Sequence, residues 1–356
     1  MDVAFFWEPV GGLTLSHKCN PYAGLLALEL EKLDVHLELG DYSLTKTWLD
    51  ENKDRVDVLH LHWLHFFYRR DTLEETVKAY SAFAESLAYA KHLGYRIVWT
   101  LHNLYPHERP FPDVDHLARL TVSRLADHVI THCDYGKRKA GELFYRQDDI
   151  TILPHGNFID AFPSDVSRAD ARSLLGLEQN DFVYVYFGNA RTYKGIEDLL
   201  ESFSAVTDDQ SKLLLAIRNA FNPAYGDEIV EQSGLHEQVI VHASEYFDES
   251  EFQNFLNAAD VGVFPFSQVM TSGSTIQALG FGLPVVVPDL GCLSELITED
   301  VGLRYNAADP EGLPKALREI RHLDVAQMGK AARKKAESLD WPTIASETAK
   351  IYGQVC

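Results

Sequence analysis

Short runs of β-branched and aromatic residues alternate with longer segments whose apolar positions recur every three or four residues, along most of the 356-residue chain. Runs of the first kind predict strands buried on both faces, the longer segments predict amphipathic helices, and their alternation predicts βαβ units with parallel sheets. Strands are predicted over 3–7, 35–39, 56–62, 96–102, 128–132 and 150–153, and again over 182–187, 212–217, 239–241, 261–265 and 284–287. Helices are predicted over 22–32, 73–93, 114–126, 136–144, 196–204, 224–233, 248–258, 274–281 and 310–322. Residues 326–354 read as two further helices with Asp340, Trp341 and Pro342 between them, since proline is tolerated in a first turn where its missing N–H would have no partner. Between the two α/β sets, Pro163, Ser164, Asp165 and Ser167 interrupt the periodicity of 157–173, and a division into two domains is expected at 165/166.

Composition narrows the classes of function. With 32 Lys and Arg against 53 Asp and Glu, the formal charge is 32 − 53 = −21. Such a field argues against a nucleic-acid partner, and any anionic ligand would need a local positive pocket. A hydrophobic content of 46% excludes a disordered chain. The four cysteines are far apart with no CxxC pair, which argues against structural zinc. The N-terminus lacks a positive region before its apolar run and reads as a strand rather than a signal peptide. No stretch reaches the roughly 18–20 apolar residues that span a bilayer, so a cytoplasmic protein is expected, with the inner face of the membrane as a candidate surface.

The most informative segment is 183–200, where a buried strand ends at Phe187 and Gly188, a loop carries Arg191 and Lys194, and Gly195 opens a helix. Two cations beside the unpaired N–H groups of a helix start suit a diphosphate. A second helix start follows at Ser272, Gly273 and Ser274, whose hydroxyls and backbone can also receive phosphate oxygens or simply cap the helix. No GxGxxG follows a predicted strand with an acidic residue at the dinucleotide spacing, and there is no P-loop.

Taken in order, the GNARTYKG loop, the strand ending near Arg218, VIVHASEYFDESEF, AADVGVFPF, SGSTIQALGFGLPVV and the later Glu295 resemble the donor domain of GT-B nucleotide-sugar glycosyltransferases. Upstream, ADHVITHCDYGK and ITILPHGNFIDAF resemble the end of their acceptor domain, and DWPTIASETAKIYGQV is similar to their C-terminal helix. The resemblance implies an α/β fold of two Rossmann-like domains with a cleft between them: an acceptor domain over 1–165, joined by a helix over 342–356, and a donor domain over 166–341. It implies transfer of a hexosyl group from a UDP- or GDP-linked sugar to a hydroxyl of a glycan or lipid-linked saccharide, without a metal cofactor. Arg191, Lys194, Ser272, Gly273 and Ser274 would hold the diphosphate, and Gly188, Arg218, Tyr246 and Gln277 would serve the nucleotide. Val269 and Gln277 stand where many retaining members carry a Glu-x7-Glu pair, a departure that favours an inverting branch.

Inversion requires a base, expected from the first domain. His102 and Glu108, in the turn after a predicted strand, are the candidates. Gly11, Gly12 and His17 form a candidate loop over the diphosphate or acceptor. His60 and His62 share a strand face, but no acidic or cysteine partner has a matching short spacing, so no metal is expected. The aromatic and basic run 63–70 is a candidate for peripheral membrane contact, against the alternative of core packing. A sugar-nucleotide epimerase and a catalytically inactive nucleotide-sugar-binding protein are the competing readings.

Overall fold

The computed structural model of the chain describes residues 1–356 other than 9–12, 14, 16–19, 207, 220–221 and 234–237. It forms two compact units, one of Met1–Gly156 with Asp340–Cys356 and one of Asn157–Leu339.

The N-terminal unit runs β1 (Asp2–Phe6), α1 (Tyr22–Glu31), β2 (His36–Leu39), α2 (Lys46–Asn52), β3 (Val58–Leu61), α3 (His65–Tyr68), α4 (Leu73–Leu93), β4 (Arg96–Leu101), α5 (Pro112–Leu125), β5 (His128–Thr131), α6 (Asp134–Phe144) and β6 (Ile150–Ile152). The second unit runs α7 (Arg168–Leu174), β7 (Phe182–Asn189), α8 (Ile196–Ser204), β8 (Ser211–Arg218), α9 (Pro223–Ser233), β9 (Val239–Ser244), α10 (Glu249–Ala258), β10 (Val261–Val263), α11 (Gly273–Gly280), β11 (Val285–Pro288), α12 (Leu293–Leu296), β12 (Gly302–Tyr305), α13 (Gly312–Ile320) and α14 (Val325–Glu337). The last helix, α15 (Trp341–Val355), belongs to the N-terminal unit, where the Tyr352 hydroxyl lies 2.6 Å from His60 Nδ1.

Each unit is built on a parallel six-stranded sheet, ordered β2-β1-β3-β4-β5-β6 in the first and β12-β11-β10-β7-β8-β9 in the second. In both sheets the strand order reverses beside the unit's first strand, between β1 and β3 and between β7 and β10. Loops leaving the carboxyl ends of those pairs diverge to opposite faces and open the crevice in which such sheets bind ligands. The central strands are buried on both faces, as their apolar runs demand: Val183, Tyr184, Val185 and Tyr186 of β7 have no exposed surface. Local signals set the helix ends. Thr72 Oγ1 accepts from Glu75 N and donates to the Glu75 carboxylate, which caps the start of α4, and Gly94 ends that helix at φ +95°.

Two sequence expectations shift. The segment 157–173 is part of the second unit's fabric: the Asn157 side chain donates to the Ala336 and Leu339 carbonyls, and α7 begins at Arg168. Ser167 caps α7 by accepting from Asp170 N, so the residues that break the periodicity start an element. The edge strand β12 is absent from the predicted set, because its alternating, partly exposed GLRY lacks the apolar run of a central strand.

Candidate functional site

In the second unit, the loop after β7 and the loop after β10 lie together at the β7/β10 reversal. Ser267 N donates to Tyr193 O at 2.9 Å, and a Cβ on Gly195 would collide with the Pro265 carbonyl. Gly195 also takes φ +69°, so glycine is required twice over, by conformation and by space. Gly195→Ala is expected to destabilise this unit by at least about 3 kcal/mol, combining left-handed backbone strain with an overlap that only backbone movement relieves. Urea unfolding with an unchanged midpoint would show that the loop does not hold this position.

This geometry places Arg191 and Lys194 at the mouth of the reversal. The Lys194 ammonium lies over the Phe266 ring, 4.6 Å from its centroid, and 5.3 Å from that of Tyr193. Among the described residues it has no carboxylate partner within ion-pair distance. Burial, with Arg191 adding repulsion, pushes its pKa down to about 8. A desolvated cation beside a second cation attracts an anion strongly, because bringing one relieves both penalties.

The helix start at α11 faces the same place. A Cβ on Gly188 would meet Ser274 Oγ at 3.7 Å, so the end of β7 and the first turn of α11 are neighbours. The Ser272 hydroxyl is taken up in capping: it accepts from Thr275 N at 3.1 Å and from Thr275 Oγ1 at 3.0 Å, and it is buried. Gly273 and Ser274 are half-buried at the rim. Gln277, one turn further along, is buried, and among the described residues its Nε2 has no hydrogen-bond partner. Arg218 ends β8 in register with Asn189 and Ser244, its guanidinium 5.8 Å from the Tyr246 ring centre. Gly188, Arg218 and Tyr246 thus lie at the carboxyl ends of three adjacent strands.

In the N-terminal unit the carboxyl edge carries a row of histidines. His62, His102 and His132 each follow directly on the last residue of β3, β4 and β5, and His155 follows β6. Because those strands are neighbours, the rings meet: His62 Nδ1 lies 2.8 Å from His102 Nε2, and His102 Nδ1 lies 2.9 Å from His132 Nε2. His132 Nδ1 lies 2.8 Å from the Leu153 carbonyl, and His155 Nδ1 lies 2.7 Å from the Gly156 carbonyl. All are buried, and burial holds His60 and His155 down to about 3, His132 to about 4, and His62 and His102 well below the ordinary histidine value. The row is therefore neutral at physiological pH.

The arrangement corrects the expectation for His102. Both its ring nitrogens are engaged by histidines, so it is the middle of a row and has no free lone pair to offer a substrate. Glu108 is exposed on the loop after β4, its carbonyl accepting from Arg69 at 2.6 Å. Gly11, Gly12 and His17 lie outside the described residues. Within 63–70, Phe67 stacks on Phe83 and the buried Tyr68 donates to Asp115 at 2.6 Å, so much of that run is core and Phe66 and Arg70 remain exposed. Among the described residues no helix is long and apolar enough to cross a membrane, and no group of three or more His, Cys, Asp or Glu is arranged to hold a metal ion.

Likeness to known proteins agrees with this geometry. Residues 181–322 match the family described as glycosyl transferases group 1. The chain is 24% identical to a D-inositol 3-phosphate glycosyltransferase of Streptomyces scabiei, over 97% of its own length and 78% of the relative's. It is 27% identical to a GDP-mannose:glycolipid 4-beta-D-mannosyltransferase of Xanthomonas campestris, over 66% of this chain and 62% of that one. In structure it is similar to a sucrose-phosphate synthase from Thermosynechococcus elongatus, with TM-score 0.76 at 17% identity over 99% of this chain and 98% of the other. It is also similar to Anabaena Alr3699/HepE, solved in complex with UDP-glucose, with TM-score 0.74 at 16% identity over 99% of this chain and all of the other. The chain thus has the GT-B fold, and the segment that carries Arg191, Lys194 and Ser274 is the part that matches the glycosyl transferases group 1 description.

Proposed function

We propose that the protein transfers a hexosyl group from a nucleoside-diphosphate sugar to a hydroxyl of a glycan or lipid-linked saccharide, with the donor held at the β7/β10 reversal. The observation that carries this reading is the desolvated Lys194 beside Arg191, without a carboxylate partner among the described residues, at the site where a parallel sheet receives its ligand. The diphosphate bridges Lys194, Arg191 and the Gly273–Ser274 turn, and its charge offsets the repulsion between the two cations. Gln277 offers its unpartnered amide to a ribose oxygen, and Tyr246 with Arg218 flanks the base. The relatives named for GDP-mannose and solved with UDP-glucose make guanine and uracil the first bases to test.

The reading includes inversion at the transferred carbon, supported by the apolar Val269 and the neutral Gln277 where a carboxylate pair would stand. The anomeric configuration of the product, read by proton NMR, tests it.

The decisive experiment is a thermal-shift screen against UDP, GDP, ADP and TDP, followed by product analysis with acceptor saccharides. A nucleotide at 100 times its Kd stabilises the folded state by about 2.7 kcal/mol, enough to raise the Tm of a unit this size by several degrees. No shift with any diphosphate would reject the donor site. Conversion of the donor sugar without an acceptor would favour epimerisation.

A further inference from the structure

The histidine row has a direction. A carbonyl oxygen only accepts, so the 2.8 Å contact with Leu153 O places the His132 proton on Nδ1. His132 is neutral, its Nε2 is then bare, and it accepts from His102 Nδ1–H at 2.9 Å. His102 Nε2 is bare in turn and accepts from His62 Nδ1–H at 2.8 Å. The reverse assignment would set the lone pair of His132 Nδ1 against those of the Leu153 oxygen, a repulsive contact in a buried site. One backbone carbonyl therefore determines three tautomers, and the row ends at His62 Nε2 as an unprotonated lone pair.

Among the described residues that atom is buried without a hydrogen-bond partner, and so is the Trp63 Nε1–H of the next residue. Both side chains line a cavity of about 20 Å³, with Thr100, Asn103 and Arg119 among the other walls. Unpaired polar atoms of opposite kind beside a space of that size call for one small hydroxyl-bearing ligand, because either atom left dry costs about 1–3 kcal/mol. The position also lies at this unit's own strand-order reversal, since His62 follows β3, which pairs with β1.

We infer that His62 Nε2 is the hydrogen-bond-accepting end of a one-way histidine chain and binds a single water molecule, which donates to it and accepts from Trp63 Nε1–H. His102 and His132 are positioning residues that hold the His62 tautomer. The site extends beyond the donor reading and is independent of it.

Nitrogen-15 NMR of the histidine-labelled whole chain tests the row without mutation. The expected spectrum has three mutually coupled rings in the Nδ1–H neutral form, with no titration from about pH 6 to about pH 8. An Nε2–H tautomer at His102 or His132, or titration of either within that range, would overturn it. A crystal structure at about 1.5 Å resolution is expected to place a water within hydrogen-bond distance of His62 Nε2 and Trp63 Nε1, and a dry cavity would overturn the ligand.

Discussion

Acidification from pH 7 to pH 5 is expected to remove most of the stability of the N-terminal unit. Five buried histidines, His60, His62, His102, His132 and His155, have pKa values pushed below the ordinary range by burial. In the unfolded chain they return to about 6.5 and bind protons that the folded state does not. Stability therefore rises with pH between the folded and unfolded values, is fully present above about pH 6.5, and is lost as the pH falls below it. Each site contributes roughly 1.4 kcal/mol per pH unit once its unfolded form is protonated. For five sites the loss over those two pH units reaches about 9 kcal/mol, against a typical domain stability of 5–15 kcal/mol. All five tryptophans lie in this unit, at 7, 48, 63, 99 and 341, so tryptophan fluorescence reports on it alone. Urea midpoints measured that way at pH 7, 6 and 5 should fall steeply, and a flat profile would mean that the row is hydrated or already charged.

Replacing Arg191 by Ala or Lys194 by Met is expected to weaken donor binding by about 10- to 150-fold each, the equivalent of a charge-assisted hydrogen bond of roughly 1.5–3 kcal/mol. Folding should respond differently. Lys194 is desolvated and repelled by Arg191, so its removal leaves the ligand-free Tm unchanged or raises it. A variant that loses both affinity and Tm would indicate a structural cation, and one that keeps wild-type affinity would reject the diphosphate site. The wild type carries a matching signature. Diphosphate affinity should be level below about pH 8 and decline above it, as the free enzyme's Lys194 gives up its proton. Lys194→Met should abolish that decline, and calorimetry across the range checks both.

Much of the candidate donor site is legible in the sequence, since its signal is local. A buried strand, a glycine-bounded loop with two cations and a second helix start lie within short segments, and the backbone rules for helix ends apply to each separately. Ser272 shows where that reading stops: a serine before a helix can cap or bind, and only the 3.1 Å bond to Thr275 N assigns its oxygen to the cap. The membrane candidate at 63–70 met the same limit. Aromatic residues read alike whether they face core or solvent, and the stacking of Phe67 on Phe83 comes from a helix later in the chain.

The histidine row was the least visible feature. His62, His102, His132 and His155 are spread over 94 positions, 155 − 62 + 1. Each alone is an ordinary strand-end histidine. A usable signal lies in the recurrence of His at or just past the ends of four consecutive predicted strands, which becomes a contact only if those strands are neighbours in order. His102 reads as a candidate base because sequence shows a residue's own chemistry and conceals what occupies its lone pairs.

By itself, the sequence determined the alternation of buried strands and amphipathic helices, the two-sheet class and the local pairing of Arg191 with Lys194, because hydrophobic period and helix-end chemistry act over a few residues. Only the tertiary structure decided which loops meet at the strand-order reversals, that Lys194 is desolvated, and that a carbonyl at Leu153 orients a proton on His62. Those outcomes depend on strand order and burial, which arise when segments far apart in the chain are brought within hydrogen-bonding distance and water is excluded between them.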